Sequence, residues 1–427
     1  MLKGISETAL IAGRGVLLLA LFVLQGCALS QYQSTGMSLY LDSHSLTETL
    51  AKLQSQSPEP RDLPMHLLNL GMVNHLIGNY QRSNQDLEAA KRALEKVQAI
   101  SVKEGLTSST LNETFNDYSA THSERILLHV VKALNYLAQN DLSAARVEAL
   151  QSDLLIRELA EESADLASAR FIAGLIYELN QEWSDAMISY RKAEQALTRR
   201  TLPIPAVLQV RLVNISQQLG LEQEYQQYLA RFGPQTASLP EGYAEVLVIS
   251  LNGKVPVKQQ RMFSIYAPAL GHFVTIAQPY YLPRTGPLVT GSQHAGAHPL
   301  ALGLLEDVDG LAREALQAGE AKRIALSLSR IVAKHQMVKK ARKQDPLLGL
   351  LTDLASVLTE VADIRSWSLL PAVIQVGTLQ LPIGPDILLN TIYPGKSQPA
   401  QRVEVKSGAM QLLITNSYRP SSQLIYY

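Results

Sequence analysis

Cysteine is almost absent from this chain, since Cys27 is the only one among 427 residues. A single cysteine excludes an intramolecular disulfide and a cysteine-rich metal site, so the fold must rely on apolar packing. The chain also lacks an excess of either charge, with 38 basic and 38 acidic side chains. Proteins that bind nucleic acids carry a surplus of Lys and Arg for phosphate contacts, so the composition argues against a nucleic-acid partner.

Long apolar runs are absent after residue 24, which argues against a later transmembrane helix. Before that point, Lys3 and Arg14 lead into an apolar run over 16–24. A basic start, a short apolar run and a small residue before a cleavage point are typical of a secretory signal. An uncleaved membrane anchor is the alternative, but the run is shorter than the roughly 20 residues that span a bilayer.

The segment that ends this run resembles the lipobox of bacterial lipoproteins, with Leu24, Gln25 and Gly26 before Cys27. The resemblance implies removal of a signal peptide over 1–26 and acylation of Cys27 with lipid chains such as palmitate. Ala28 stands where an Asp would retain a lipoprotein in the inner membrane. We therefore expect an anchor in the outer membrane, a polar tether over 27–47 and a body that faces the periplasm.

An internal repeat follows, in which small and aromatic residues recur at the same separations of 7, 2, 3, 4 and 3 positions. The pattern predicts antiparallel helix pairs, because small residues stand where two helices cross. It resembles the tetratricopeptide (TPR) repeat, which implies a TPR-like helical domain over 48–233. The two clear copies are Gly71, Gly78, Tyr80, Ser83, Leu87 and Ala90, and Gly174, Gln181, Trp183, Ala186, Tyr190 and Ala193. A weaker copy comprises Ala133, Tyr136, Leu142, Ala145 and Ala149, and a fourth helix pair is predicted over 207–218 and 222–232.

The second half, over 240–427, is predicted to be an α+β domain with an antiparallel sheet. Strands are expected over 243–277, with a hairpin turn at Asn252-Gly253 between two apolar runs. A loop rich in Pro and Gly is expected over 279–299, and helical periodicity returns over 307–361. The alternating residues over 373–416 predict C-terminal strands that form a β-sandwich-like sheet.

Parts of this half resemble a little-characterised family of tetratricopeptide-repeat-containing outer-membrane lipoproteins of Gram-negative bacteria. The segments that carry the resemblance are 252–258, 363–367 with 369–371, and 381–384. Together with the lipobox and the repeats, the resemblance covers nearly the whole chain after residue 26. It implies a place in the cell envelope and assigns no catalytic residue.

Asp363, Arg365 and Trp367 form an unusual group just before the C-terminal strands. In one interpretation, Asp363 pairs with Arg365 or caps a turn, and Trp367 fills the boundary between helices and sheet. In the other, Arg365 and Trp367 line a recognition groove, where they offer a planar donor fork and a flat apolar face.

Lys339 and Lys340 belong to a basic run over 334–343 at the end of a predicted helix. Cations at a helix C-terminus complement the helix dipole, which is the simplest interpretation. The alternative is contact with an anionic envelope polymer or with an acidic surface of a partner.

The sequence assembles no nucleophile, base and oxyanion donors in one place. Ser189 and Lys192 have the spacing of penicillin-interacting serine enzymes, but Tyr190 between them holds a repeat packing position. His294 and His298 lie four positions apart without the other ligands of a zinc site. We therefore expect no catalytic residue, no metal site and no cofactor.

The sequence as a whole predicts a non-catalytic scaffold or adaptor for envelope proteins, in envelope assembly or in the regulation of peptidoglycan synthesis. Its expected partners are the membrane, through the lipid anchor, and envelope proteins or peptides, through the helical repeats. Peptidoglycan or another anionic envelope polymer is a further partner class. One alternative is an envelope hydrolase or glycan-binding protein with a site between the loop at 279–299 and the segment 363–367. Another is a structural subunit of an envelope machine, which predicts large exposed apolar patches.

Overall fold

The computed structural model describes residues 34–104, 117–159, 165–234, 239–284, 292–295, 298–344, 361–393, 396–397, 401–408, 410–418 and 424–427. The first part of the described chain is helical, and the second part combines β-sheets with helices. The predicted fold class, TPR-like helical repeats followed by an α+β domain, is confirmed. The helices of the first part are α1 (Ser34–Ser43), α2 (Leu46–Gln54), α3 (Leu63–Ile77), α4 (Tyr80–Glu104), α5 (His122–Ala138), α6 (Leu142–Leu159), α7 (Ala167–Leu179), α8 (Trp183–Arg199), α9 (Ala206–Gln218) and α10 (Glu222–Phe232).

Local sequence fixes where several of these helices begin and end. The Ser45 hydroxyl accepts from the Glu48 backbone N–H at the start of α2, and the Glu48 carboxylate accepts from the Ser45 N–H. Thr121 and Glu124 form the same capping box at the start of α5. Helix α3 ends at Gly78, whose φ of 93° lies in the left-handed region that glycine adopts without strain. Signals of this kind act within a few residues, so they can be recognised in the sequence.

The pairs α3–α4 and α7–α8 cross at the two glycines that the repeat places in equivalent positions. A Cβ atom added to Gly71 would lie 2.5 Å from Cγ of Leu87, and one added to Gly174 would lie 2.7 Å from Cδ1 of Tyr190. Both partner side chains are completely buried, so neither can move aside without disturbing the core. The small residue in each copy is therefore a requirement of helix packing, as the matching separations predict.

The predicted tether over 27–47 is wrong for its second part, because the chain is helical from Ser34. Met37 and Leu41 lie four positions apart in α1 and are buried in the core of the helical part. The Lys254 ammonium lies 2.6 Å from a carboxylate oxygen of Asp42 and joins α1 to the second half. Among the described residues of α1, Met37 and Leu41 are the only buried members of the apolar core, and polar residues lie near them in the sequence. Two apolar positions are too few to show a clear helical periodicity.

The second part contains two stacked sheets and a separate hairpin. We call the five-stranded sheet, in the order β12-β11-β1-β7-β6, the central sheet, and the sheet in the order β10-β8-β4-β5, with β9 paired to β8, the outer sheet. Two helices, α11 (Val308–Ala318) and α12 (Glu320–Gln344), follow β6. The strands are β1 (Tyr243–Asn252), β2 (Gln259–Ala267), β3 (His272–Tyr280), β4 (Ser292–Ala295), β5 (His298–Ala301), β6 (Gly303–Asp307), β7 (Val373–Pro382), β8 (Gly384–Tyr393), β9 (Lys396–Ser397), β10 (Gln401–Val405), β11 (Gln411–Asn416) and β12 (Leu424–Tyr426).

Strand β1 is buried on both faces and separates two apolar cores. Leu247, Ile249 and Leu251 belong to the core that the central sheet shares with the helical repeats. Val246 and Val248 belong to the core between the central sheet and the outer sheet. Successive side chains of a strand point to opposite faces, so the central sheet is the middle layer of a three-layer structure. The helices cover one of its faces, and the outer sheet forms a β-sandwich on the other.

The hairpin predicted at Asn252-Gly253 is wrong, because β1 does not pair with β2. Strand β1 pairs antiparallel with β7 and parallel with β11, while β2 pairs with β3. Both edges of β1 are therefore occupied by β7 and β11, and neither is left for β2. The Gly253 N–H donates to the Ser417 hydroxyl at 3.1 Å, so the Asn-Gly turn contacts the chain that follows β11.

Two other predicted ranges differ from the structure. The range 279–299, expected to be a loop, contains β4 and the start of β5, which pair with each other, and β4 also pairs with β8. Strands of four residues are too short to show a clear alternation, which explains why the pattern missed them. Of the helices expected over 307–361, α11 and α12 are present, and residues 345–360 lie outside the described ranges.

The helical repeats and the central sheet are joined by buried polar contacts as well as by apolar packing. Glu306 of β6 is completely buried, and its carboxylate accepts from the Ser168 backbone N–H at 3.0 Å and from the Ser168 hydroxyl at 3.1 Å. The Tyr427 hydroxyl donates to the Leu137 carbonyl oxygen at the end of α5, at 2.5 Å. Such contacts fix the two halves in one orientation, since buried polar groups need their partners.

Candidate functional site

A buried group of charged side chains joins three helices in the middle of the repeats. The His129 Nδ1–H donates to Oε2 of Glu148 at 2.7 Å, and Lys132 donates to Oε1 of the same carboxylate at 2.7 Å. Lys132 also donates to Glu88 of α4 at 2.6 Å. Burial alone would raise the pKa of Glu148, but the hydrogen bonds from His129 and Lys132 outweigh it and lower the pKa. The carboxylate is therefore charged at neutral pH and holds α4, α5 and α6 together.

Replacing Glu148 with Gln is expected to lower the free energy of unfolding at pH 7 by about 1–3 kcal/mol, because buried partners lose charge-assisted hydrogen bonds. A carboxylate whose pKa is lowered by folding adds stability above its unfolded value of roughly 4.3, and that stability is lost as the pH falls through the folded pKa. Urea unfolding of both proteins from pH 7 to pH 3 should therefore show the difference narrowing below about pH 4. The exposed Glu95→Gln variant of α4 is the control, and a difference that stays constant with pH would contradict this role.

A shallow groove lies over this group, between α4, α5 and α6. The groove contains a cavity of about 130 Å³, and its lining combines leucine side chains with charged and polar ones. Ligand pockets for small molecules usually have volumes of roughly 300–1,000 Å³, so this groove is better suited to a side chain of a partner protein. Its lining includes Lys91, Leu94, Arg125, His129, Leu154 and Glu158.

An apolar stripe on α6 borders the groove. Val147, Leu150 and Leu154 are 54%, 40% and 45% exposed, and their spacing of three and four positions places them on one face of the helix. Ile188 of α8, which holds the repeat position equivalent to Val147, is 45% exposed. The spacing of the repeat residues does not indicate this surface. The signal was available, because α6 has its buried residues Ala145, Ala149, Ser152 and Ile156 on a different face.

Arg365 lies at the joint where the helical repeats meet the sheets. Its guanidinium donates from Nη1 to Asp62 at 2.9 Å and from Nη2 and Nε to Asp363 at 2.7 and 2.9 Å. Burial alone would lower the pKa of Arg365, but the hydrogen bonds to Asp363 and Asp62 raise it, so the side chain stays charged. Asp62 precedes α3, and Asp363 precedes β7, so one buried fork links the two halves of the molecule.

Trp367 is completely buried two residues further on. Its backbone N–H donates to Oε1 of Glu124 at 2.7 Å, and the other oxygen of Glu124 accepts from the Thr121 N–H at 2.7 Å. The cap of α5 therefore also anchors the joint. Neither Arg365 nor Trp367 presents a surface that a partner could reach, and the contacts correspond to the structural interpretation of this group.

A cavity of about 90 Å³ lies beside Trp367. Among the described residues, neither Nε1 of Trp367 nor the Ser366 hydroxyl has a hydrogen-bond partner, although both atoms are buried. Glu124 is the one acidic side chain among the residues that line the cavity, and both of its oxygens already accept backbone N–H groups. A glycosidase needs two carboxyl groups around its substrate, and the described residues that line this cavity provide only one.

The other residues that the sequence singled out lie apart from this cavity. Lys339 and Lys340 are in the last two turns of α12, where Lys339 is exposed. Ser189 is buried in α8, which leaves its hydroxyl without access to a substrate. In the described ranges, no group of three or more His, Cys, Asp and Glu side chains could hold a metal ion.

The proposed anchor is not part of the described chain, because Leu24, Gln25, Gly26 and Cys27 precede residue 34. None of the helices in the described ranges is both long and apolar enough to cross a membrane.

No protein-family model and no curated protein matches the chain. Among solved structures, the chain is similar to the crystal structure of the apo form of RapI, with 11% identity and a TM-score of 0.33. The similarity covers 44% of this chain and 48% of the RapI chain, so it spans about half of RapI. A likeness at this level supports no inference about family or function.

Proposed function

We propose that the protein is a non-catalytic adaptor of the bacterial cell envelope, which binds envelope proteins or peptides through its helical repeats. The observation that carries the proposal is the exposed stripe of Val147, Leu150 and Leu154 beside the groove. Apolar side chains that form a contiguous exposed patch often mark a protein–protein interaction site. Apolar side chains beside charged ones are also typical of a protein interface, which combines an apolar core with a polar rim.

The proposal includes a lipid anchor at Cys27, which would hold the adaptor on the periplasmic side of the outer membrane. The lipobox-like segment supports this part, together with Ala28 in place of an Asp. Two acyl chains give stable attachment, whereas one gives only marginal binding. In this setting the adaptor would recruit proteins for envelope assembly or peptidoglycan synthesis.

Crosslinking in intact cells, followed by affinity capture and mass spectrometry, tests the adaptor. The informative variant is Leu150→Ser with Leu154→Ser, which should fold normally, because neither side chain belongs to the buried core. The matched control is Leu388→Ser, which changes a 51% exposed apolar residue of β8 far along the chain. Proteins captured by the parent and the control but lost with the α6 variant would support the adaptor. Identical capture by all three would refute the α6 surface as the binding site.

A Cys27→Ala variant tests the anchor separately. Metabolic labelling with an alkyne analogue of palmitate should mark the parent and leave this variant unlabelled. The variant should also move from the outer-membrane fraction to other fractions, because no other acylation site of this type is available in the chain. Labelling that survives the substitution would contradict the assignment.

The hydrolase or glycan-binding alternative and the structural-subunit alternative predict different results. Capture of glycan fragments without proteins would favour the first. Capture of one stoichiometric assembly would favour the second, which would require apolar patches larger than the α6 stripe.

A further inference from the structure

Strands β2 and β3 form an arm with α12 that stands apart from the two stacked sheets. The two strands pair only with each other among the described strands, in a register that places Tyr266 opposite Phe273. The inner face of this hairpin packs on α12, through Val274 and Ile276 against Ile324, Leu328 and Ile331. We call these three elements the hairpin arm.

The helix runs antiparallel to β3, so its C-terminal part lies at the tip of the hairpin. Gln278 contacts Ser327 towards the base, and the rings of His272 and His335 are 6.2 Å apart near the tip. An α-helix rises 1.5 Å per residue, so Lys339 lies about 6 Å beyond His335 along the helix. The basic end of α12 therefore reaches the tip and extends past it.

The tip exposes two aromatic side chains to solvent. Phe273 is 70% exposed and Tyr266 is 49% exposed, and their rings make an edge-to-face contact with centroids 5.5 Å apart. Met262 lies on the same outer face of the hairpin and is 51% exposed. This is a second exposed apolar surface, separate from the α6 stripe.

The hairpin arm carries a large excess of positive charge, with nine basic residues and one acidic residue, Glu320. Residues 259–280 and 321–344 contain nine Lys or Arg and no Asp or Glu, whereas the whole chain has a net charge of zero. Five of these cations, Lys334, Lys339, Lys340, Arg342 and Lys343, follow residue 333, in the part of α12 nearest the tip. Glu320 precedes this stretch and pairs with Arg261 at the base of the arm.

We propose that the tip of the hairpin arm binds the surface of an anionic phospholipid bilayer. Aromatic rings are favourable at the level of lipid headgroups, and clustered Lys and Arg are attracted to anionic lipids. A soluble polyanion would satisfy the cations and leave Phe273 and Tyr266 exposed to water. A bilayer surface accommodates both features at the same depth, which is why it fits the tip better than a glycan polymer does. This contact is independent of the proposed acylation at Cys27.

Vesicle flotation of the full-length chain tests the proposal. All proteins carry Cys27→Ala, so that any contribution of the N-terminal segment is common to them. The vesicles contain either phosphatidylglycerol with phosphatidylethanolamine or phosphatidylcholine alone. We expect the parent to prefer the anionic vesicles by about tenfold, and we expect this preference to fall as salt is added.

Two double variants separate the apolar and the charged contributions. Tyr266→Ser with Phe273→Ser, and Lys334→Glu with Lys339→Glu, should each reduce binding to anionic vesicles by about tenfold. Leu388→Ser and Lys52→Glu change exposed residues elsewhere and should bind like the parent. Circular dichroism checks that every variant is folded.

The opposite results would overturn the proposal. If the ring variant, Tyr266→Ser with Phe273→Ser, floats like the parent, the tip does not enter the headgroup layer. If charge reversal removes binding to soluble polyphosphate while the ring variant has no effect on either ligand, the partner is a polyanionic polymer. Equal binding to both kinds of vesicle by all variants would place membrane contact outside the hairpin arm.

Discussion

Replacing Arg365 with Met is expected to lower the free energy of unfolding by about 3–5 kcal/mol, because it leaves a buried carboxylate without its partner. Asp62 is buried and would lose the hydrogen bond from Nη1, while Asp363 would lose the two from Nη2 and Nε. The midpoint of urea unfolding, followed by circular dichroism, measures the loss. Because the fork links the helical repeats to the sheets, we also expect the two halves to unfold less cooperatively.

Two further variants test the mechanism. Arg365→Lys keeps the charge but cannot form the planar fork, so its loss should be intermediate. Combining Arg365→Met with Asp62→Asn should recover part of the stability, since the orphaned charge is then removed. A loss below about 1 kcal/mol for Arg365→Met would show that the fork contributes no more than an exposed ion pair.

Replacing Trp367 with Ala is expected to cost about 3–5 kcal/mol, as for other large aromatic side chains deleted from a core. The side chain is completely buried and lines the cavity of about 90 Å³, which the substitution would enlarge. Unfolding in urea measures the effect. The fluorescence of a Trp183→Phe background reports the surroundings of Trp367 alone, because the chain has two tryptophans.

Trp367→Phe is the matched control for this prediction. It keeps an aromatic ring and removes an indole N–H that has no partner among the described residues, so its cost should be well below that of Ala. Emission of Trp367 at the wavelength typical of exposed indole, or an Ala variant as stable as the parent, would contradict the buried position.

The helical repeats could be predicted from the sequence because their determinants are local. Gly71 and Leu87 lie sixteen positions apart, and the spacing recurs unchanged at Gly174 and Tyr190. Capping residues such as Ser45 and Thr121 act within three positions of the residues that they cap. Periodicity and spacing detect such features, and the predicted helix pairs are present at the expected places.

The joint and the sheets could be predicted only in part, because their contacts join distant parts of the chain. The pairing of Asp363 with Arg365 spans two positions, and it is one of the two interpretations that the local sequence allows. The bond between Arg365 and Asp62 spans 303 positions, and nothing in the local pattern indicates it. The hairpin predicted at Asn252-Gly253 is wrong for the same reason, since β1 pairs with the distant strands β7 and β11.

The position of β1 between β7 and β11 also sets an order of folding. Ile249 pairs with Val376 of β7 on one side and with Ile414 of β11 on the other. Strand β1 therefore cannot complete its pairing until β7 and β11 have been synthesised. Helix pairs formed from neighbouring segments close faster than such distant pairings. Until residue 411 has emerged, at least one edge of β1 is an open template for another chain. The helical repeats can therefore fold first, and residues 246–251 are the stretch that a chaperone would need to shield.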